Sequence, residues 1–106
     1  MSLSTHVLDA MSGKPAAGVA VTLTDRDGKN LAAATTDGDG RVAQLGEDLS
    51  TGVYRLHFDT GAYFAALGVA TFYPEVIVAF ELADAGAKYH VPVLLSPYAY
   101  STYRGS

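Results

Sequence analysis

Cysteine is missing from this chain of 106 residues. Its absence excludes disulfide bonds, a thiolate nucleophile and zinc sites built on thiolates. The redox compartment stays open, because a chain without cysteine tolerates oxidising and reducing surroundings alike. Catalysis in this protein would have to rely on other side chains.

Positive charge is also scarce. Seven basic residues stand against eleven acidic ones, which gives a net charge of −4, and the acidic residues are scattered among predicted turns. A nucleic-acid-binding protein is expected to show a basic stripe, and this sequence shows none. We therefore expect no nucleic-acid partner.

Long apolar runs are missing as well. No stretch approaches the roughly 18 apolar residues of a membrane-spanning helix, so we expect no membrane partner. The first residues, MSLSTHVLDAMSGKP, have neither the positive leader nor the apolar core of a signal peptide. The sequence therefore predicts a soluble, cytoplasmic protein.

Several catalytic and metal-binding motifs are absent. The sequence has no GxxxxGKS/T phosphate loop and no GxSxG nucleophile elbow. The stretches DRDGKN and DGDGR resemble calcium loops, but they lack the ligand spacing and the distal glutamate of such a loop. We predict no metal site and no cofactor.

What the chain does contain is enough for one folded domain. Its length lies in the commonest range for a domain, roughly 100–150 residues, and 49% of its residues are hydrophobic. A core of that size needs no disulfide or metal to stabilise it. We expect residues 1–106 to form a single domain.

Short segments separated by Gly, Asp and Ser predict an all-β sandwich of about eight mostly antiparallel strands. VYRLHFD alternates clearly, with Tyr54, Leu56 and Phe58 on one face. FYPEVIVAFEL is predicted to be the longest strand, and the Asp-Gly of DRDGKN predicts a hairpin. Pro92 predicts an edge or an irregularity in the apolar strand HVPVLLS. The other predicted strands are LSTHVLDA, GVAVTLT, NLAAATT, RVAQL and YAYSTY.

One helix is predicted, over TGAYFAALG. Alanine and leucine favour helical structure. Thr60 is expected to cap the first turn, and Gly68 is expected to end the helix.

Three histidines are the candidates for proton transfer near neutral pH, because the unperturbed pKa of imidazole lies there. His6 lies in the first predicted strand opposite Thr5 and Val7, His90 opens HVPVLLS, and His57 lies on the polar face of VYRLHFD. Taken singly, a histidine is more often a surface or structural residue than a catalyst.

Arg41 directly follows the glycine-rich DGDG loop. A guanidinium there can bind a planar carbonyl or carboxylate group through two parallel hydrogen bonds. The plainer interpretation, which the residue alone favours, is a charge that faces water at the end of a strand.

The last segment, YHVPVLLSPYAYSTYRGS, is rich in tyrosine and serine. A disordered segment would not need so many aromatic residues. We therefore expect that this segment is held in place and used.

Four blocks of the sequence together resemble the 5-hydroxyisourate hydrolases, the transthyretin-related enzymes of urate breakdown. The blocks are LSTHVLDAMSGKPAAGVAVTL, the DGR around Arg41, FDTGAYFAALGVATFYPEV and YHVPVLLSPYAYSTYRGS. The resemblance covers essentially the whole chain in the same order. The final YRGS is its most specific element, since it distinguishes the enzymes from transthyretin itself.

The resemblance implies a fold and an assembly. The fold is a transthyretin-like sandwich of two four-stranded sheets, and the assembly is a homotetramer made of two dimers. Substrate sites would lie in the channel between the dimers, where residues of facing subunits share each pocket. The C-terminal segment would then form part of the wall of the site.

The resemblance also implies particular functional residues. The histidine of the STHVLD block falls on His6, the arginine after the glycine-rich loop on Arg41, and the histidine of the YHVP block on His90. Catalysis is expected of His6, Arg41, His90 and Ser106, and substrate binding of His6, Arg41, Tyr103, Arg104, Gly105 and Ser106. His57 matches no functional position of the family.

The implied reaction is hydrolysis of 5-hydroxyisourate to 2-oxo-4-hydroxy-4-carboxy-5-ureidoimidazoline. Adding water to a ring carbonyl needs a base, a donor for the developing oxyanion and groups that hold a flat polar ring. His6 and His90 are expected to activate water and transfer protons, with the division between them open. Arg41 would hold the substrate and stabilise negative charge. The chemistry needs no metal.

The sequence departs from the family at two positions near its end. Tyr98 stands where Phe is common, and Ala99 stands where Gly is common. Ala99 is expected to alter the turn after Pro97 and to shift the C-terminal segment slightly.

Two other classes of protein fit parts of the same sequence. A transthyretin-like carrier would use the channel for an apolar aromatic ligand, yet His6, Arg41, His90 and Arg104 predict a polar lining. A non-enzymatic module similar to carboxypeptidase-regulatory-like domains would share the stretch from GKPAAG to RVAQL. Such a module would not account for the STHVLD histidine or the YRGS end.

Overall fold

Two β-sheets and one short helix form the part of the chain that the computed structural model describes, residues 2–106. Within this range no helix is both long and apolar enough to cross a membrane. The elements are β1 (Ser2–Asp9), β2 (Lys14–Pro15), β3 (Ala20–Asp25), β4 (Asn30–Thr35), β5 (Arg41–Val42), β6 (Gly52–Phe58), α1 (Thr60–Ala66), β7 (Val76–Leu82), β8 (Lys88–Ser96) and β9 (Ala99–Thr102).

The first sheet has the order β2-β1-β8-β9, with β5 also paired to β1. Strand β8 runs parallel to β1 along all of one edge. The opposite edge pairs with β5 at Thr5 and His6 and with β2 at Leu8 and Asp9. Five segments therefore make a sheet that is only four strands wide, in agreement with the sandwich predicted from the sequence.

The second sheet has the order β4-β3-β6-β7 and is antiparallel throughout. As predicted, alternation in β6 buries Tyr54, Leu56 and Phe58. These side chains join one hydrophobic core with the buried faces of β1, β3, β7 and β8 and with Phe64 of the helix. The core between the sheets fixes which face of each strand points outward.

Two strand predictions were wrong in length. The longest strand is β8 with nine residues, whereas β7 begins only at Val76 and has seven. The preceding residues are bonded elsewhere, since Phe72 N–H donates to Pro97 O and Pro74 O accepts from Gly61 N–H. The predicted strand RVAQL is reduced to β5, although Leu45 N–H still donates to Leu3 O on β1.

Pro92 interrupts the first sheet without lying at its edge. It is buried within β8, which is flanked by β1 and β9, so the predicted edge was wrong and the predicted irregularity is confirmed. Proline has no N–H to donate to a ladder. Pairing between β8 and β9 extends from Ser96–Ala99 to Val93–Thr102 and stops there, next to Pro92. Beyond Thr102, the bridge between Gly105 and His90 is the one further pairing with β8 in the described residues.

The helix is capped by Asp59 instead of Thr60. The Asp59 carboxylate accepts from Ala62 N–H at 3.2 Å, whereas Thr60 is the first helical residue and is buried. A carboxylate placed just before the helix satisfies a free N–H of its first turn. Gly68 ends the helix as predicted, with a φ of 71°.

Candidate active site

A polar face of the first sheet brings together residues that are far apart in the chain. Buried and half-buried positions alternate in β1, so Ser4 and His6 lie on the face away from the core. The parallel register places Ser4 beside His90, and pairing with β5 places His6 beside Arg41. Paired residues share a face of the sheet, so two of the predicted histidines and the predicted arginine lie together.

A short hydrogen bond orients the imidazole of His90. Its Nδ1 lies 2.8 Å from Oγ of Ser4, across 86 residues of sequence. With Nδ1 engaged, Nε2 is the nitrogen left for a ligand or a water molecule. Ser4 was missed by the sequence analysis, because only the parallel pairing of β1 with β8 brings it to His90.

His90 is also electrostatically suited to act as a base. Burial lowers the pKa of its imidazole below the ordinary 6.5, and the positive charges of Arg41 and His6 act in the same direction. Hydrogen bonding to Ser4 opposes these effects. The imidazole is therefore neutral, and able to accept a proton, at neutral pH.

Arg41 is the last residue of a tight turn that the side chain of Asp37 stabilises. Oδ1 of Asp37 accepts from the N–H groups of Asp39, at 2.9 Å, and Arg41, at 3.0 Å. These two bonds are the main reason why the pKa of Asp37 lies below its usual value. Asp37 was not among the predicted functional residues, although an Asp that starts a Gly-rich turn is the usual signal for such side chain–backbone bonds.

The turn is attached directly to β1. Gly40 has a φ of 75°, and its carbonyl oxygen accepts from Val7 N–H at 2.7 Å. Nε2 of His6 lies 2.9 Å from the carbonyl oxygen of Asp39. Because a carbonyl oxygen only accepts, His6 Nε2 carries the hydrogen in this bond. His6 thus holds the turn that presents Arg41.

Arg41, His90, Gly105 and Ser106 line one cavity of about 330 Å³. The C-terminal segment closes it, since Gly105 N–H donates to His90 O at 2.8 Å. A Cβ atom on Gly105 would lie 2.5 Å from Cδ2 of His90, so glycine permits the segment to pack against the imidazole. The cavity lining is Ser2, Ser4, Thr5, Arg41, Val42, Ala43, Lys88, Tyr89, His90, Gly105 and Ser106.

Tyr103 and Arg104 do not line this cavity. They line a second one, of about 340 Å³, between β7 and the C-terminal segment. The Arg104 guanidinium lies 4.6 Å from the ring centroid of Tyr89, within the range of a cation–π interaction. Tyr89 and His90 border both cavities. Of the residues predicted to bind substrate, Arg41, Gly105 and Ser106 therefore line the first cavity and Tyr103 and Arg104 the second. His6 lines neither cavity and lies on β1, beside Arg41.

His57 lies on the second sheet, away from both cavities. Its Nε2 is 2.7 Å from a carboxylate oxygen of Glu75. This placement agrees with the prediction of a strand-face residue without a family role. In residues 2–106, no three His, Cys, Asp or Glu side chains group closely enough to hold a metal ion.

Two packed sheets with this strand order form a transthyretin-like β-sandwich, and the cavity that contains Arg41 and His90 lies on the first sheet. Sea bream transthyretin in complex with thyroxine superposes with a TM-score of 0.92 at 33% identity, covering 99% of this chain and 95% of that one. The model of the HIUase/Transthyretin family matches residues 3–105, and the chain belongs to that family. The resemblance drawn from the sequence is thereby confirmed.

Relatives named as hydrolases are similar over nearly the whole chain. The 5-hydroxyisourate hydrolase of Caulobacter vibrioides is 48% identical over 112 aligned positions, which cover 98% of this chain and 97% of the relative. The structure of Klebsiella pneumoniae 5-hydroxyisourate hydrolase superposes with a TM-score of 0.93 at 39% identity, with full coverage of both chains.

Proposed function

We propose that this protein hydrolyses 5-hydroxyisourate to 2-oxo-4-hydroxy-4-carboxy-5-ureidoimidazoline in urate catabolism. Residues 1–106 would act as one hydrolase domain, in the cytoplasm. The relatives named 5-hydroxyisourate hydrolase support the assignment. The observation that carries it is one cavity that brings together an oriented imidazole with a lowered pKa, the guanidinium of Arg41, and Gly105 and Ser106.

His90 is the proposed general base. Its Nδ1 lies 2.8 Å from Ser4 Oγ. In the tautomer that we propose, Nδ1–H donates to this hydroxyl oxygen, and the Nε2 lone pair is free to take a proton from water. The lowered pKa keeps this lone pair available at neutral pH. Water activated in this way adds to a ring carbonyl of the substrate, and the ring C–N bond then breaks as the nitrogen takes up a proton.

Arg41 is proposed to hold the ring and to stabilise the oxyanion that forms when water adds. Its planar guanidinium can donate two parallel hydrogen bonds to adjacent oxygens. Asp37 Oδ1 accepts from Arg41 N–H, and this bond fixes where the strand that carries Arg41 begins. Gly105 and Ser106 also line the cavity, and the Ser106 hydroxyl can orient water or substrate there.

His6 is proposed to transfer a proton and to position Arg41. Its Nε2–H is committed to Asp39 O, so proton exchange would use Nδ1. This arrangement favours His90 over His6 as the base that activates water.

We further propose a homotetramer of two dimers, with the active sites between the dimers. Phe72, Tyr98 and Tyr103 are each at least 60% exposed, and exposed aromatic side chains are typical of interfaces. In this assembly Tyr103 and Arg104 would complete substrate binding, although they lie outside the Arg41 cavity of their own subunit. Light scattering coupled to size-exclusion chromatography tests the assembly, and a monomeric active enzyme would contradict it.

The deciding experiment generates 5-hydroxyisourate from urate and uricase and follows its near-ultraviolet decay with and without the protein. Acceleration by the wild type should fall by about 10²–10⁴-fold in His90→Asn, which keeps size but removes the base. His57→Asn is the matched control and should behave as the wild type. Decay at the spontaneous rate with folded wild-type protein would refute the hydrolase.

Removal of residues 103–106 tests the role of the YRGS end of the C-terminal segment. The segment meets β8 through the Gly105 bridge beyond the end of β9, so its loss should leave the sandwich folded and abolish turnover. Circular dichroism checks the fold. A truncated protein with full activity would make these residues structural only.

The alternative is a small-molecule carrier, which the similarity to the thyroxine complex of sea bream transthyretin favours. A cavity lined by Arg41, Lys88 and His90 is poorly suited to an apolar ligand. Thyroxine displacement of a fluorescent probe distinguishes the two. Tight thyroxine binding with no acceleration of 5-hydroxyisourate decay would favour the carrier.

A further inference from the structure

Lys88 lies on the active-site face of the sheet, two residues before His90. Side chains two apart on a strand share a face and are separated by roughly 7 Å. The parallel register pairs Lys88 with Ser2, directly next to the Ser4–His90 pair. Lys88 accordingly lines the cavity that contains His90 and Arg41. The family resemblance assigns Lys88 no role.

The cavity has a positive charge on either side of His90. Arg41 comes from β5, which pairs with β1 beside His6, whereas Lys88 lies toward the other end of β1, beside Ser2. Of the described residues that line the cavity, none is Asp or Glu. In residues 2–106 the one ion pair within 4.0 Å joins His57 to Glu75, so within this part of the chain the Lys88 ammonium has no carboxylate partner at that distance.

The proposed reaction supplies an anion for this second cation. Water adds its oxygen to the carbonyl carbon, the C–N bond breaks, the nitrogen takes a proton, and the new carboxylic acid loses one at neutral pH. A lysine ammonium is a compact charge that binds carboxylate and polarised carbonyl oxygens. Arg41 alone would leave the far edge of a flat ring without a cationic partner.

We propose that Lys88 is a second anion-binding residue of the site. It holds the polarised oxygens on the edge of the substrate away from Arg41, and it holds the carboxylate after ring opening. This inference rests on the proposed hydrolase function. Lys88 thereby sets the orientation of the ring over His90 and favours planar substrates that carry oxygens on both edges.

The kinetic test compares Lys88→Gln and Lys88→Glu with Lys29→Gln and Lys29→Glu. Lys29 is an exposed lysine in the turn between β3 and β4, so the control pair changes the net charge equally. For an exposed charge, KM should rise about 3-fold in Lys88→Gln and about 10-fold in Lys88→Glu. The kcat should change less than about 2-fold, because the proton transfer at His90 is intact.

Salt dependence and product inhibition sharpen the kinetic test. Raising the ionic strength should shrink the difference between Lys88→Glu and the wild type, because salt screens exposed charges. Inhibition by accumulated product should weaken in the Lys88 variants and stay unchanged in the Lys29 variants. Unchanged KM and product inhibition in Lys88→Glu would overturn the proposal and leave the hydrolase standing.

A binding measurement keeps the inference separate from turnover. Urate, a planar purine anion, serves as the probe in equilibrium dialysis against the wild type and the four variants. Weaker urate binding in Lys88→Glu than in Lys29→Glu supports the cation site even if the wild type failed to accelerate decay. Equal urate binding by these two variants would overturn it.

Discussion

Two turns of the molecule, residues 25–29 and 37–41, share their internal hydrogen bonds and differ in their surroundings. In each turn, Oδ1 of the first Asp accepts from the N–H groups two and four residues later. Each has a glycine with positive φ in fourth place, 85° at Gly28 and 75° at Gly40. That glycine N–H donates to the carbonyl oxygen of the first Asp. Each turn ends in a cation, Lys29 or Arg41.

The surroundings of the two glycines separate the turns. A Cβ atom on Gly28 would meet nothing within 4 Å, whereas one on Gly40 would collide with the carbonyl oxygen of Val7. The first turn connects β3 to β4 and accepts one side-chain hydrogen bond, from the Arg55 guanidinium to the Arg26 carbonyl oxygen. The second is bonded to the backbone and side chains of β1 through Val7 and His6. The same local hydrogen-bond pattern therefore forms a hairpin turn in one place and supports Arg41 of the candidate site in the other.

Replacing the two cations should give the largest difference between the turns. Arg41→Gln removes the proposed oxyanion donor, so kcat/KM should fall by about 10²–10³-fold. Lys29→Gln should remain within about 2-fold of the wild type. Arg41→Lys keeps the charge without the planar fork, and its kcat/KM should lie between the values of Arg41→Gln and Lys29→Gln. Normal turnover in Arg41→Gln would remove the arginine from the mechanism.

Replacing Gly28 or Gly40 by alanine should distinguish the cost of a strained backbone from the cost of losing the contact between the second turn and β1. Alanine in left-handed conformation costs about 1–2 kcal/mol, and Gly28→Ala should lose about that much stability in urea denaturation. Gly40→Ala adds the collision with Val7 and should lose about 3 kcal/mol or more. Only Gly40→Ala should lower kcat/KM. Equal losses in both variants would mean that the docking of the second turn contributes nothing.

The aspartate pair should show a smaller effect on activity. Asp37→Ala and Asp25→Ala each remove a carboxylate that accepts two backbone N–H bonds. Loosening the second turn misplaces Arg41, so Asp37→Ala should lower kcat/KM by about 10-fold. Asp25→Ala should leave kcat/KM unchanged. Steady-state kinetics of the two variants test this difference. An effect of Asp25→Ala on kcat/KM would show that the first turn also reaches the site.

The smallest expected effect is on the titration of His90. Burial and the charge of Arg41 lower the pKa of its imidazole below 6.5. The proton-accepting form therefore persists below pH 6.5 and disappears as the pH falls through the lowered pKa. Arg41→Gln should move the pKa of His90 upward in an NMR titration, and Lys29→Gln should not. A pKa of His90 that is unaffected by Arg41→Gln would show that the arginine does not contribute to lowering it.

Features that depend on neighbours in sequence were predictable. The alternation in VYRLHFD, the Asp-Gly hairpin and the helix end at Gly68 each follow from local backbone and side-chain preferences. Where two local choices competed, the sequence was less informative: Asp59 and Thr60 can both cap a helix, and Asp59 does.

Features that depend on distant pairing were not predictable in the same way. Most strands were expected to be antiparallel, yet the parallel pair of β1 and β8 builds the candidate site. Nothing local in LSTHVLDA indicates that Ser4 meets His90. The effect of Pro92 also depends on a distant strand. Its missing N–H matters only beside β9, where pairing with β8 stops after Thr102 and resumes at Gly105. That gap is where Tyr103 and Arg104 turn to the second cavity.

The parallel pairing of β1 with β8 also constrains how the chain folds during synthesis. His90 leaves the ribosome 86 residues after its partner Ser4. Contacts of such long sequence separation form slowly, since the closure entropy of the whole intervening chain opposes them. One backbone edge of β1 thus stays without its partner strand until β8 has been synthesised. Recovery of activity during refolding would then report the last long-range contact of the sandwich.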